Sequence, residues 1–276
     1  MRLGAPLYSP AAGPAEWAVA HRKLGYGAAY CPDVSSIAEA QEYARAALLN
    51  NLIIAEVGAW CNPLSRDEAE ARKNIAFIQE RLALAESIGA RCCVNIAGSR
   101  GEKWDGPHPD DLTEDTFDLI VETVRKIIDA VKPVNTFYTL EPMPWMYPDS
   151  VESYERLVVA IDRPAFGVHY DPVNLVNSPE RYFHNAAHMR EFIRRLGPRI
   201  KSVHAKDTLL GQTLTTHLDE VRPGLGTLDY AVLLTELERL NPQMPLMVEH
   251  LQKAEDYDLA VEYIRGVAQK VGVKLI

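Results

Sequence analysis

Leu52-Ile53-Ile54-Ala55 is an uninterrupted apolar run, and a segment with helical periodicity follows it from Ser65 to Gly89. An apolar run of this kind is typical of a parallel strand that is covered on both faces. In the segment that follows, apolar residues recur at three- and four-residue steps and so share one helix face: Ile75, Ile78, Leu82, Ala85 and Ile88. We expect Ser65 and Glu68 to form a capping box at the start of this helix, and Gly89 to end it. The stretch therefore predicts one strand–helix unit.

The same alternation of a short apolar run and a helical segment recurs along the whole chain. The predicted strands lie near residues 2–8, 25–31, 52–59, 91–97, 135–142, 165–171, 200–206 and 245–250. Further helix starts are marked by Thr113, by Ser150 and by Ser178 with Pro179 after it, because such side chains accept hydrogen bonds from free N-terminal amides. Eight such units predict a parallel sheet and disfavour an antiparallel sandwich.

A closed barrel explains this alternation better than an open nucleotide-binding sheet, because no glycine fingerprint follows the first strand. The sequence predicts an α/β protein, with a single (β/α)8 TIM barrel as one domain over residues 1–276. The stretches from Pro107 to Pro109 and from Gly211 to Gly226 are predicted to be long loops, and the second is the better candidate for a lid.

Composition excludes several classes of protein. With 47% hydrophobic and 24% charged residues, the chain is not disordered. Its 29 Lys and Arg against 38 Asp and Glu give a net charge of −9 without a basic stripe, so a nucleic acid is not an expected partner. The sequence has no apolar stretch of membrane-spanning length and no apolar signal sequence at Met1-Arg2-Leu3-Gly4. We therefore expect a cytoplasmic protein that does not bind a membrane.

Four consecutive predicted strands end in a side chain that can bind a metal: Glu141, Asp171, His204 and Glu249. Each residue alone could be a helix-capping carboxylate or a buried histidine. In a barrel, however, the carboxyl ends of the strands converge on one mouth, and adjacent strands lie about 4.8 Å apart. Three carboxylates and one imidazole suit Mn²⁺ best, and Mg²⁺, Co²⁺, Zn²⁺ or iron could also bind. The sequence predicts a site for one divalent ion.

Several short segments, taken in this order, resemble the sugar phosphate isomerase/epimerase superfamily, also called xylose isomerase-like barrels. These segments are Leu140-Glu141-Pro142, residues 169–174 (HYDPVN), residues 203–207 (VHAKD), residues 223–229 (PGLGTLD) and Val248-Glu249-His250. The resemblance covers essentially the whole chain, and it implies that the same four residues are the metal ligands. It also implies an isomerase, an epimerase or a lyase, and makes a homo-oligomer possible.

Six further residues are candidates for binding the substrate: Asn95, Trp145, His169, Asn174, Lys206 and Arg222. Trp145 could stack on a sugar ring or anchor its loop, and Lys206 could polarise a substrate oxygen or form an ion pair. His169 could orient a ligand from below or be an ordinary buried histidine. Asn174 and Leu210 stand where ketose 3-epimerases of the superfamily carry a histidine and an arginine, and Arg222 could supply the missing cation.

These residues predict a carbohydrate as the substrate and proton transfer as the chemistry. A divalent ion stabilises the enediolate of a ketose or keto-sugar, and Glu141 and Glu249 are the acid and base candidates. The expected activity is that of an isomerase or epimerase. The alternative is a lyase, similar to inosose dehydratases or to enzymes that cleave 3-oxo-glycosides or carbon-glycosides, using the same site. A barrel that binds a sugar without catalysis is the third possibility.

Overall fold

The computed structural model, which describes residues 1–9 and 11–276, confirms the predicted barrel. The eight parallel barrel strands are Arg2–Gly4 (β1), Ala28–Tyr30 (β2), Ile53–Gly58 (β3), Cys92–Asn95 (β4), Tyr138–Leu140 (β5), Phe166–Tyr170 (β6), Ile200–Ala205 (β7) and Pro245–Val248 (β10). They close in the order β1-β10-β7-β6-β5-β4-β3-β2. Each lies within one of the eight predicted runs, and the closed order places all eight carboxyl ends at the same mouth.

Helices connect the strands and cover the outside of the barrel. They are Pro14–Lys23 (α1), Ile37–Leu49 (α2), Glu68–Ile88 (α3), Glu114–Val131 (α4), Val151–Ile161 (α5), Pro179–Phe183 (α6), Asn185–Leu196 (α7), Tyr230–Leu240 (α8) and Ala254–Val271 (α9). Thr113, Ser150 and Ser178 cap the helices that they were predicted to start. The long helices pack apolar faces on the barrel, as α3 does with Ile78 and Leu82, which have no exposed surface. Complete burial of such a side chain contributes about 1.5–3 kcal/mol.

The start of α3 differs from the prediction. Asp67, and not Ser65, caps this helix, because its carboxylate accepts hydrogen bonds from the Ala69 and Glu70 amides at 2.8 and 3.2 Å. Ser65 instead donates a hydrogen bond to the Glu70 side chain. An ionised carboxylate is favoured at this position because it also interacts with the helix dipole. Gly89 does end the helix, with the predicted left-handed φ of +65°.

The predicted loop from Gly211 to Gly226 is partly a strand. Residues Asp207–Leu210 (β8) and Leu218–Val221 (β9) form an antiparallel hairpin beside the barrel mouth. The buried Asp207 carboxylate fixes the base of this hairpin by accepting hydrogen bonds from four backbone amides, those of Thr208, Gly224, Gly226 and Leu228. Only the turn at residues 211–217 extends beyond the paired strands.

In the part of the chain that the structure describes, none of the helices combines the length and apolar character that a bilayer crossing requires.

Candidate metal centre and active site

Glu141, Asp171, His204 and Glu249 meet at the mouth of the barrel, as the sequence predicts. Glu141, Asp171 and Glu249 each follow directly after a strand, and His204 lies near the end of β7. Their possible ligand atoms all lie within 4.8 Å of one another. His204 Nδ1 is 3.0 Å from Glu141 Oε1, 2.9 Å from Glu249 Oε1 and 3.8 Å from Asp171 Oδ2. We call these four side chains the ligand cluster.

The donor set of the ligand cluster fits a divalent cation. Asp171 Oδ2 and Glu249 Oε1 are buried and accept no hydrogen bond of normal geometry from the described residues, although buried polar oxygens are normally satisfied; their close contacts are ion pairs with the Lys206 ammonium at 2.8 and 2.6 Å. A cation satisfies such oxygens without requiring a hydrogen. Asp171 Oδ1, by contrast, accepts from the backbone amides of Val173 and Asn174 at 2.9 and 3.1 Å. These bonds fix the carboxylate with Oδ2 facing the cluster.

Burial and neighbouring charges shift the pKa values of the side chains in this cluster. Burial alone would raise the pKa of Glu141, but Lys206 and His204 hold it well below its usual value. Burial alone would lower the pKa of His204, but the carboxylates of Glu249, Glu56 and Glu141 raise it well above 6.5. Burial raises the pKa of Asp171 to about 6. The metal-free site therefore holds protons that a cation has to displace.

Lys206 lies inside the site, only 1% exposed. Its Nζ is 2.6 Å from Glu249 Oε1 and 2.8 Å from Asp171 Oδ2, and 3.5 Å from Glu141 Oε1. The ammonium group thus contacts three of the four predicted ligands. Burial lowers its pKa, but these carboxylates outweigh burial and raise it well above 10.5, so Lys206 supplies positive charge next to the oxygens that would bind the metal.

Glu56, on β3, is a part of the site that the sequence analysis missed. It is 1% exposed, and its carboxylate lies on the opposite side of the His204 ring from the ligand cluster. Glu56 Oε2 is 3.1 Å from His204 Nε2, Glu56 Oε1 is 3.1 Å from His169 Nε2, and Ser202 Oγ donates to Oε1. Burial would raise the pKa of Glu56, but His204 and His169 hold it well below its usual value. A signal was present, because Glu56 interrupts an otherwise apolar strand and a buried charge needs partners.

A cavity of about 490 Å³ adjoins the ligand cluster, and Glu141 and Glu249 are part of its lining. Its other walls include Tyr30, Trp60, Trp104 and Arg81. Trp60 can approach the end of β3 closely because the residue there is Gly58: a Cβ atom at that position would stand 2.5 Å from the indole Nε1. Aromatic faces beside a few polar groups are typical of small-molecule sites.

Arg81 is a second residue that the sequence analysis missed. It projects from α3 into the cavity wall, where its Nε donates to the Gly58 carbonyl oxygen at 2.9 Å. Arg222, the predicted source of a cation, lies elsewhere: it donates to the Pro223 carbonyl oxygen and stands 3.8 Å from Asp256. Among the residues that the structure describes, Arg222 is not part of the cavity lining.

The other predicted substrate-binding residues have internal partners. Asn174 Nδ2 donates to Glu141 Oε1 at 3.2 Å, so Asn174 holds this predicted ligand in place. Asn95 is completely buried, and its amide exchanges two hydrogen bonds with the Cys61 backbone. Trp145 Nε1 donates to the Asp105 carbonyl oxygen at 3.0 Å, which ties two mouth loops together. His169 lies beneath the site against Glu56.

This chain belongs to the xylose isomerase-like TIM barrel family, whose model matches residues 21–267. Solved structures with the same fold include 3-keto-D-glucoside 4-epimerase from E. coli, at 15% identity and a TM-score of 0.70, covering 96% of this chain and 99% of that one. A probable 3-DHS dehydratase from Bacillus anthracis gives 14% identity and a TM-score of 0.73, with 97% and 99% coverage. D-psicose 3-epimerase from Clostridium cellulolyticum H10 gives 14% and 0.67, also with 97% and 99% coverage. No curated protein sequence matches significantly. At these identities the likeness concerns the fold.

Proposed function

We propose that the protein is a divalent-metal-dependent isomerase or epimerase of a ketose or related keto-sugar. The observation that carries this proposal is the disposition of two glutamates. In the described residues, the hydrogen bonds and closest ion-pair contacts of Glu141 and Glu249 all involve Oε1. Each glutamate therefore keeps Oε2 for a proton while Oε1 faces the ligand cluster.

The chemistry follows from this arrangement. Glu141, Asp171, His204 and Glu249 would hold a divalent ion, most suitably Mn²⁺, which would stabilise negative charge on neighbouring oxygens of a keto-sugar. One glutamate takes the proton from the carbon next to the carbonyl, and the other returns a proton. Return to the opposite face inverts that carbon, and return to the neighbouring carbon moves the carbonyl. Lys206, whose ammonium contacts Glu141, Asp171 and Glu249, is a candidate donor of a hydrogen bond to a substrate oxygen.

Solvent deuterium exchange tests the proposal. The Mn²⁺-loaded protein should exchange the α-proton of at least one member of a panel of ketoses, keto-glycosides and inososes, as followed by NMR. Glu249→Gln should stop the exchange while the protein still binds Mn²⁺. His204→Asn should weaken Mn²⁺ binding, and excess Mn²⁺ should partly rescue its activity. Equal rescue of both variants would show that Glu249 is only a ligand, and absence of exchange across the panel would refute the proposal.

The cavity favours a second candidate function, that of a lyase. Its volume of about 490 Å³ leaves room for a group attached to the sugar, and Trp60 and Trp104 are part of its walls; the volume is within the range of small-molecule sites, roughly 300–1,000 Å³. If such a group is β to the carbon that loses its proton, the same enediolate expels it. Mass spectrometry of the product distinguishes the two reactions: an unchanged mass supports isomerisation, whereas loss of water or of an aglycone supports elimination.

A further inference from the structure

The contacts of Glu56 determine which nitrogen of His204 carries a hydrogen. Glu56 is buried in β3 and its two oxygens face three donors, Ser202 Oγ, His169 Nε2 and His204 Nε2. An ionised carboxylate can accept hydrogen bonds but cannot donate them. His204 Nε2 must therefore carry the hydrogen that is directed at Glu56 Oε2, 3.1 Å away.

The other nitrogen of the same ring faces the ligand cluster. His204 Nδ1 lies 3.0 Å from Glu141 Oε1 and 2.9 Å from Glu249 Oε1. In a neutral imidazole with a hydrogen on Nε2, Nδ1 has the free lone pair. This is the form that a metal-binding histidine needs, and in metalloproteins the second nitrogen usually donates to a carboxylate or carbonyl group that fixes the ring.

We propose that Glu56 is a positioning residue that holds the His204 ring with Nε2 protonated and Nδ1 open to the metal ion. It does so through a single hydrogen bond, while Ser202 and His169 keep the Glu56 carboxylate in place. The inference rests on the proposed function only in requiring an ion at the ligand cluster. Loss of such a carboxylate weakens metal binding by about 10–100-fold.

A second ion below the first would be the other interpretation of these residues, since Glu56, His169 and His204 are themselves close enough to hold a metal. Hydrogen bonding argues against it. Both oxygens of Glu56 already accept directed hydrogen bonds from protein donors, whereas Asp171 Oδ2 and Glu249 Oε1 of the ligand cluster have ion-pair contacts with Lys206 but no hydrogen bond of normal geometry among the described residues. We therefore assign the ion to the ligand cluster, and to Glu56 only the role of positioning the His204 ring.

The test compares Glu56→Gln with Ser202→Ala by titration calorimetry with Mn²⁺. A glutamine amide offers one acceptor oxygen and one donating NH₂ group, so it cannot accept from both histidines, and Mn²⁺ binding should weaken about 10–100-fold. Ser202→Ala also removes a hydrogen bond to Glu56 but leaves the bond to His204, and its Kd should change less than about threefold. In a His204→Asn background, Glu56→Gln should have no further effect on binding, because the effect passes through the ring.

Nitrogen-15 NMR of the unaltered, Mg²⁺-loaded protein tests the proposal without any substitution. It should show His204 with hydrogen on Nε2 and the metal on Nδ1. The opposite tautomer, an unchanged Mn²⁺ Kd in Glu56→Gln, or two ions per chain with one lost in Glu56→Gln would each overturn the proposal. Failure of the proposed function gives a different result, namely Mn²⁺ bound with the expected dependence on Glu56 but no α-proton exchange with any sugar.

Discussion

Lys206→Met should have opposite effects on the metal-free and the metal-loaded protein. The Lys206 ammonium is 1% exposed and lies 2.6 Å from Glu249 Oε1 and 2.8 Å from Asp171 Oδ2. Removing one partner of a buried ion pair costs about 3–5 kcal/mol, because the remaining charge stays buried without compensation. In a chain of this size, 1 kcal/mol changes Tm by about 2–4 °C. The metal-free variant should therefore melt about 6–20 °C below the parent protein.

Metal binding should become tighter in the same variant. In the parent protein a divalent ion has to draw two oxygens away from the lysine ammonium, and methionine removes this competition. We expect Mn²⁺ to bind at least about tenfold more tightly, which corresponds to about 1.4 kcal/mol. Melting curves in excess EDTA and in saturating MnCl₂ should therefore show a larger stabilisation by Mn²⁺ in Lys206→Met than in the parent.

Lys201→Met is the matched control. Lys201 lies in the first half of β7 with its Nζ 3.8 Å from the centroid of the Phe137 ring, away from the ligand cluster. This substitution should leave the Mn²⁺ Kd unchanged. If Lys206→Met instead weakens Mn²⁺ binding, or leaves the metal-free Tm unchanged, then Lys206 does not serve as the counter-charge of the empty ligand set and the reasoning is wrong.

Acidification below about pH 6 should weaken Mn²⁺ binding by about a further tenfold per pH unit, on top of the loss caused by protonated His204, because burial raises the pKa of Asp171 to about 6 and the ion needs the ionised form; a Kd that stays flat down to about pH 5 would contradict this. In the metal-free protein the folded state binds this proton more tightly than the unfolded chain does, so the stability that Asp171 contributes is fully present below about pH 4 and is lost as the pH rises through about 6. Metal binding near neutrality should release protons, because the surrounding carboxylates outweigh burial and raise the pKa of His204 well above 6.5; binding enthalpies should then differ between buffers of different ionisation enthalpy, and identical enthalpies would refute the protonated state. Asp207→Asn should destabilise the hairpin by about 2 kcal/mol or more, because the Gly224 and Gly226 amides lose a charged acceptor; hydrogen exchange at these amides should accelerate, and unchanged protection would show that the hairpin does not depend on Asp207.

The meeting of the four predicted ligands at one mouth could be predicted from the sequence because the barrel itself determines where they lie. A residue that directly follows a strand, such as Glu141 or Asp171, reaches the mouth whatever the details of helix packing. Side-chain alternation along β7 similarly directs His204 inward. The separation of these residues in sequence then only has to accommodate one helix per strand.

Residues whose position depends on packing could not be predicted in the same way. Glu56 lies within a strand, and nothing in the sequence says which of the other strands supplies its partners. Arg81 comes from the middle of α3 and reaches the cavity only because of how that helix lies on the barrel. Trp145 and Arg222 are on loops, where no regular alternation fixes the direction of a side chain, and both turn towards internal partners.

In the hairpin at the mouth, the paired strands that lie beside the site are separate from the turn that is exposed to solvent. The base of the hairpin is fixed by Asp207, and Glu220 on β9 comes within 3.7 Å of Lys206 Nζ and 3.2 Å of the His250 ring, so the paired strands belong to the site. The turn at residues 211–217 makes no hydrogen bond or ion pair with the four predicted ligands among the described residues, and Leu214 within it is 95% exposed. This turn is therefore a natural point for directed evolution, where inserted or randomised sequence can be tolerated while the geometry of the four predicted ligands stays the same.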